Sequence, residues 1–177
     1  PDYPVRGRAA GVLGRLGPVT GEVVPALAEA LAWDQHLMVR WRAAEALERI
    51  GSEHAEAAGN IASLLIAALA SDPYPGVRAR AAQALGGIAH VDGDILAALQ
   101  NAYRHDSQTG VRWQAAKALG ELVRHFGTRG TKESVAQLRE AMTALARDPH
   151  PNIQSYAAAL GQTIRRLEGP PGSSASD

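Results

Sequence analysis

Cysteine is missing from the 177 residues, which removes disulfide frameworks, Fe–S clusters, thiolate metal sites and cysteine nucleophiles together. Net charge is missing as well, with 18 basic side chains against 18 acidic ones. Nucleic-acid binding by sheer basicity is thereby excluded, and only a locally basic face remains open. Long hydrophobic runs are absent: the longest apolar stretch, residues 61–70, holds about ten residues where a membrane span needs roughly twenty. No basic segment precedes an apolar run at the N-terminus. A soluble, cytoplasmic chain without membrane association is expected. Aromatic residues make up only 5%, with a single Phe. Alanine is abundant instead, and an alanine-rich interior is filled by closely packed helices. The composition predicts an all-α protein.

What is present is a repeat. Five segments align on a Val-Arg pair followed by paired alanines: Val5-Arg6-Gly7-Arg8-Ala9-Ala10, Val39-Arg40-Trp41-Arg42-Ala43-Ala44, Val77-Arg78-Ala79-Arg80-Ala81-Ala82, Val111-Arg112-Trp113-Gln114-Ala115-Ala116 and Ile153-Gln154-Ser155-Tyr156-Ala157-Ala158. The anchors are 34, 38, 34 and 42 residues apart, a unit of 34 with inserts of four and eight that belong in loops. Leu or Ile near the eighth and eleventh positions after the anchor (Leu47 and Ile50, Leu85 and Ile88, Leu119 and Leu122) completes a helical stripe. An Asp stands five residues before the anchor in four copies, as Asp34, Asp72, Asp106 and Asp148, beside turn formers such as Pro73 and Pro75 that end one helix and start the next. A second apolar-periodic segment precedes each Asp, at about residues 22–32, 54–70, 92–103 and 133–146. Each unit is therefore expected to be a helical hairpin.

The signature Asp-x4-Val-Arg-x2-Ala-Ala-x-Ala-Leu-Gly is nearly complete in residues 72–86 and 106–120. It resembles the HEAT-repeat family, in particular the short bacterial HEAT-like repeats also found in phycobilisome lyase subunits, over about residues 2–167. The resemblance implies a right-handed α-solenoid of stacked antiparallel hairpins, with the Val-Arg helix on the concave side and the helix before the Asp on the convex side. The first copy departs from the pattern, because no first helix precedes it. An N-terminally truncated array of about four and a half hairpins over residues 1–168 is expected, followed by a disordered tail at 169–177, whose Gly, Pro and Ser cannot bury enough apolar area to offset ordering.

The Arg column, Arg6, Arg40, Arg78 and Arg112, superficially suits phosphate. Its recurrence one turn after Asp34, Asp72 and Asp106 favours a structural ladder of charge-assisted hydrogen bonds between neighbouring repeats instead, and the HEAT resemblance implies such a ladder. Positions two, three and six after the anchor lie off the apolar stripe and differ between copies, so the fold does not dictate them. There Trp41, Arg42, Glu45, Arg80, Gln83, Trp113, Lys117 and Tyr156 are candidates for binding a partner, another protein or another domain of the same chain. Trp41 and Trp113 with Arg42 and Arg80 are residue types enriched at binding hot spots, although both rings equally suit packing between repeats. Trp33, at the end of a convex helix, is expected to pack.

Basic residues collect on the first three concave helices, at Arg6, Arg8, Arg15, Arg40, Arg42, Arg49, Arg78 and Arg80 against Glu45 and Glu48. Such a stripe suits an acidic protein surface more than nucleic acid, since the ladder consumes three of these arginines. The resemblance makes a nucleic-acid-binding HEAT module the alternative, but HEAT-like DNA glycosylases need an aspartate in the concave cleft and none stands at an outward concave position. A lyase-type chaperone subunit handling a chromophore-bearing protein is a further alternative implied by the resemblance. Chemistry finds no constellation: the six histidines are scattered, without an i, i+4 pair or a His-Glu dipeptide, and the glycines near Gly14 and Gly127 lack phosphate-loop spacing. No metal, no cofactor and no enzymatic activity are expected, and the chain is read as a non-catalytic interaction or scaffolding segment of a larger protein.

Overall fold

The structure, a computed structural model, describes residues 2–17, 21–88, 90–126, 140, 143, 146, 147 and 149–168. The expected helix at 133–146 falls largely, and Asp148 and the tail at 169–177 fall entirely, outside the described residues. Eight helices and no strand occur among the described residues: α1 Tyr3–Leu16, α2 Val23–Trp33, α3 Leu37–Glu53, α4 Ala55–Ser71, α5 Pro75–Gly87, α6 Gly93–His105, α7 Thr109–Phe126 and α8 Pro151–Glu168. None of the described helices is long and apolar enough to cross a membrane.

Local chemistry sets the ends. Pro4 and Pro75 begin α1 and α5, where a missing N–H costs nothing. Gly17, at φ 70°, ends α1 in a conformation that side chains resist. Asp92 caps α6 by accepting the Ile95 N–H at 2.9 Å. Asp34, Asp72 and Asp106 end α2, α4 and α6 in nearly the same extended conformation, with φ −65°, −63° and −65°.

The helices form two layers. The Val-Arg helices α1, α3 and α5 pack extensively on α3, α5 and α7 respectively, whereas α2, α4 and α6 touch one another sparingly. The layer with the closer spacing lies on the inside of the curve. The anchor stripe supplies the core, with Val39, Ala43, Leu47 and Ile50, Val77, Ala81, Leu85 and Ile88, and Val111, Ala115, Leu119 and Leu122 all buried. Leu27, Ile61, Leu65, Ile95 and Leu99 meet them from the outer layer. In the first copy, by contrast, Val5, Val12 and Leu16 are exposed.

Close approach depends on small residues. A Cβ built on Gly14 would lie 2.7 Å from the Ala46 Cα, and one on Gly86 would lie 2.8 Å from the Ala118 Cα. The α1–α3 and α5–α7 junctions thus share one contact, glycine nine residues after an anchor against alanine seven after the next. At the α3–α5 junction the glycine's place belongs to Glu48.

Ion pairs join the turns of successive repeats. Arg6 Nε and Nη2 donate to the two carboxylate oxygens of Asp34 at 2.6 and 2.9 Å. Arg40 grips Asp72 at 2.7 and 3.1 Å, and Arg78 grips Asp106 at 2.7 and 3.0 Å. Each Asp also accepts a backbone N–H two residues on, from His36, Tyr74 and Gln108 respectively. The third guanidinium nitrogen turns back to the Arg's own repeat: Arg40, Arg78 and Arg112 donate through Nη1 to the carbonyls of Asp34, Asp72 and Asp106 at 2.8, 2.9 and 3.0 Å. Arg112 Nη2 donates to Thr109 Oγ1 at 3.0 Å.

The hydrogen bond from Arg6 holds the Asp34 carboxyl below its usual range against the effect of burial. Burial pushes Asp106 up, but Arg78 and the Gln108 N–H outweigh it and leave that carboxyl lowered too. A lowered carboxyl contributes stability that is complete above the unfolded value, about 3.9, and is lost as pH falls through the folded value. The melting temperature should therefore drop as pH is lowered below about 4, and Asp106→Asn should lower it at neutral pH while making the acid decline shallower. Arg40 and Asp72 are both buried, so Arg40→Ala should cost about 3–5 kcal/mol by leaving a buried carboxylate unpaired, measured by urea unfolding.

Candidate functional site

On the inner layer, the positions two, three and six after the anchors, which lie off the stripe of anchor residues, range among the described side chains from exposed to buried. Arg42 is exposed and donates to Glu45 at 2.7 Å along its own helix, and Gln83 is exposed. Glu45, Lys117 and Tyr156 are half-buried. Trp41 is also half-buried, packed against the core, with the guanidinium carbons of Arg42 and Arg80 over its ring at 5.1 and 5.3 Å. Trp113 packs against the core too and meets Tyr156 edge-on, with centroids 5.4 Å apart and planes at 62°. The Tyr156 hydroxyl donates to the Lys117 carbonyl at 3.3 Å. Burial pushes its pKa up, Glu121 adds to that, and Arg124 opposes it.

Two expectations need correction. Arg80, placed at the outward edge of the face, is only 7% exposed, and its Nη2 donates to Glu48 Oε2 at 2.5 Å. The cause lies in the preceding repeat: Glu48 stands where α1, α5 and α7 have Gly14, Gly86 and Gly120, and its carboxylate draws the guanidinium into the α3–α5 junction. Nε and Nη1 of Arg80 are buried without a hydrogen-bond acceptor, and the Trp41 π face near the guanidinium compensates part of that charge. The second correction is Trp33, which is 82% exposed rather than packed. It follows the buried Leu31 by two residues, about 200° around the helix, and so faces away from the core.

Trp41 and Trp113 consequently sit in separate clusters, one held by Arg42 and Arg80 and the other by Tyr156. Between α1 and α3 the structure opens a groove of about 700 Å³ lined by Tyr3, Gly7, Arg8, Gly11, Val12, Arg15, Met38, Arg42, Glu45 and Arg49 among others. Sequence reasoning placed Arg8, Arg15 and Arg49 in a basic stripe without singling them out. Their signal is a pair of arginines three and ten residues after the anchor, in the first two copies alone. Among the described residues, no cluster of three or more His, Asp or Glu stands ready for a metal.

A family model described as HEAT repeats matches residues 1–58 and 62–160. The fold is similar to that of the complex of CpcE and CpcF of phycocyanin lyase from Nostoc sp. PCC7120, at 23% identity and a TM-score of 0.62, over 90% of this chain and 91% of that one. It is also similar to a designed armadillo repeat protein in complex with the peptide (KR)4, at 18% identity and a TM-score of 0.65, over 93% and 77% of the two chains. A computationally designed armadillo repeat protein for modular peptide recognition aligns over 97% of this chain and 85% of its own, at 18% identity and a TM-score of 0.57. No curated protein matches the chain in sequence.

The two glutamates of α3 should separate in a stability measurement. Glu48→Ala leaves the buried Arg80 without its acceptor and should cost about 3–5 kcal/mol. Glu45→Ala removes an exposed pair and should stay within about 0.5 kcal/mol of the parent, both read by urea unfolding followed by circular dichroism.

Proposed function

The chain belongs to the HEAT-repeat family, and on that premise we propose that it is a non-catalytic module that docks a protein or peptide partner on its concave face. The carrying observation is the contrast between columns of the repeat. Anchor, paired alanines and ladder recur with little change, while the outward positions vary among the copies and present Arg42, Glu45, Gln83 and Lys117 beside Trp41, Trp113 and Tyr156. A repeat needs the first set to fold, and the second set is free to be chosen for a partner. The likeness to designed armadillo proteins that take peptides supports a peptide-sized partner. Nucleic acid is disfavoured because Arg40, Arg78 and Arg80 are engaged within the fold.

The discriminating experiment compares faces. Gln83→Arg with Lys117→Glu should abolish crosslinking to the partner in source cells at an unchanged melting temperature, whereas Glu29→Lys with Ser63→Lys on the outer layer should leave it intact. The reverse pattern would sink the concave assignment.

One observation favours a second possibility, a chaperone-like subunit acting on a chromophore-bearing protein: the match to the phycocyanin lyase complex spans nine-tenths of both chains. It requires stable co-elution with a second repeat subunit and a rise in chromophore absorbance of co-expressed phycocyanin. Without both, it fails.

A further inference from the structure

We infer that the groove between α1 and α3 binds a short acidic peptide segment through Arg8, Arg15, Arg42 and Arg49. The inference rests on the concave face being a partner-binding surface and names the partner's chemistry there. All four arginines line the groove, and Glu45 is the single carboxylate among its lining residues. All four are exposed. Glu45 engages Arg42 alone, and no ion pair within the described residues neutralises Arg8, Arg15 or Arg49. Four guanidinium groups line the groove against one carboxylate, and the positive potential they focus there favours entry of a negative counter-charge, most strongly at low salt.

The spacing fits an extended chain. Arg8 and Arg15, like Arg42 and Arg49, are seven residues apart on one helix, about 10.5 Å. The two helices are separated by roughly 8–10 Å. A peptide extended as a polyproline II helix advances about 3.1 Å per residue with three residues per turn, so carboxylates on every third residue lie on one side of it, about 9 Å apart, and meet an arginine whether the peptide runs along the helices or across them. Each contact can be bidentate, as a planar guanidinium on a carboxylate prefers. Val12 and Met38, each 42% exposed, give the intervening residues an apolar wall.

The floor is kept open at a cost to the helix. Glycine inside a helix is destabilising relative to alanine, and packing does not demand it at Gly11, where an added Cβ would meet only Arg15 Nη1 at 3.9 Å. A side chain there would instead occupy the groove. The basic patch also stops after two repeats. In the third copy Arg80 is buried on Glu48 and the tenth position is Gly87; in the fourth the two positions hold Gln114 and Glu121. A nucleic-acid backbone would follow a longer track, whereas a peptide of a few residues needs no more than this.

The test is fluorescence anisotropy at low salt with a labelled peptide of four Asp-Leu-Gly repeats, beside the same peptide with Lys for Asp and an oligothymidine strand of similar length. The acidic peptide should bind, weaken as salt is raised, and outcompete the oligothymidine, while the lysine peptide should not bind. Arg15→Ala with Arg49→Ala should lower affinity roughly tenfold or more at unchanged helicity. Gly11→Leu should abolish binding while keeping or raising the melting temperature. Failure of the parent to bind the acidic peptide, equal binding by the double arginine variant, or tighter binding of oligothymidine would each overturn the inference. Partner crosslinking that still depends on Gln83 and Lys117 would then show that the groove alone was misassigned.

Discussion

The Arg–Asp bridge between successive turns is the interaction on which this array depends. Arg40 shows its reach: one edge of the guanidinium grips both oxygens of Asp72 in the next repeat, and Nη1 closes on the Asp34 carbonyl of its own. The ring of Tyr74, in the same turn as Asp72, lies 5.4 Å from its guanidinium carbon. Asp72 meanwhile orders the entry to α5 by accepting the Tyr74 N–H. One side chain thus fixes where a helix begins, how far the next turn lies away, and the rotation between them. A buried ion pair contributes little net stability over an apolar substitute, since desolvation offsets most of the attraction. Geometry is its larger contribution, because a bidentate pair tolerates only one relative placement of the turns.

With register set at the turns, the helix bodies are left to differ. At α1–α3 and α5–α7, glycine against alanine brings backbones together. At α3–α5, Glu48 replaces the glycine, a Cβ on Gly87 would collide with its carboxylate, and Arg80 and Trp41 fill the space that remains. The same junction that is chemically richest is therefore the one that removes charge from the concave face. It divides that face into a basic groove on α1 and α3 and an aromatic cluster where α7 meets α8.

Periodicity made the hairpins, the anchor stripe and the turn aspartates legible, because these depend on residues spaced along one helix or on a pattern that recurs. Trp33 runs against the expectation drawn from its place at the end of a convex helix: it stands two residues after the buried Leu31, an offset that places it opposite the core, and it is exposed. Arg80 was not legible. Its environment is decided by Glu48, 32 residues earlier, and only the register between α3 and α5 brings the two together. The groove was half legible: its arginines stood out as a stripe, while the depth between them comes from Gly7 and Gly11 lying on the same side of α1 as the arginines.

Equivalent positions in a repeat do not therefore carry equivalent roles. Arg8, Arg42 and Arg80 all stand three residues after an anchor, yet Arg42 follows a repeat with Gly14 at the ninth position and stays exposed, whereas Arg80 follows one with Glu48 and is buried. The role of the third position is set by the ninth position of the preceding copy, through the junction they share. A concave surface of this kind is composed in pairs across junctions, so a single acidic residue between repeats both neutralises one arginine and sets where a basic patch ends.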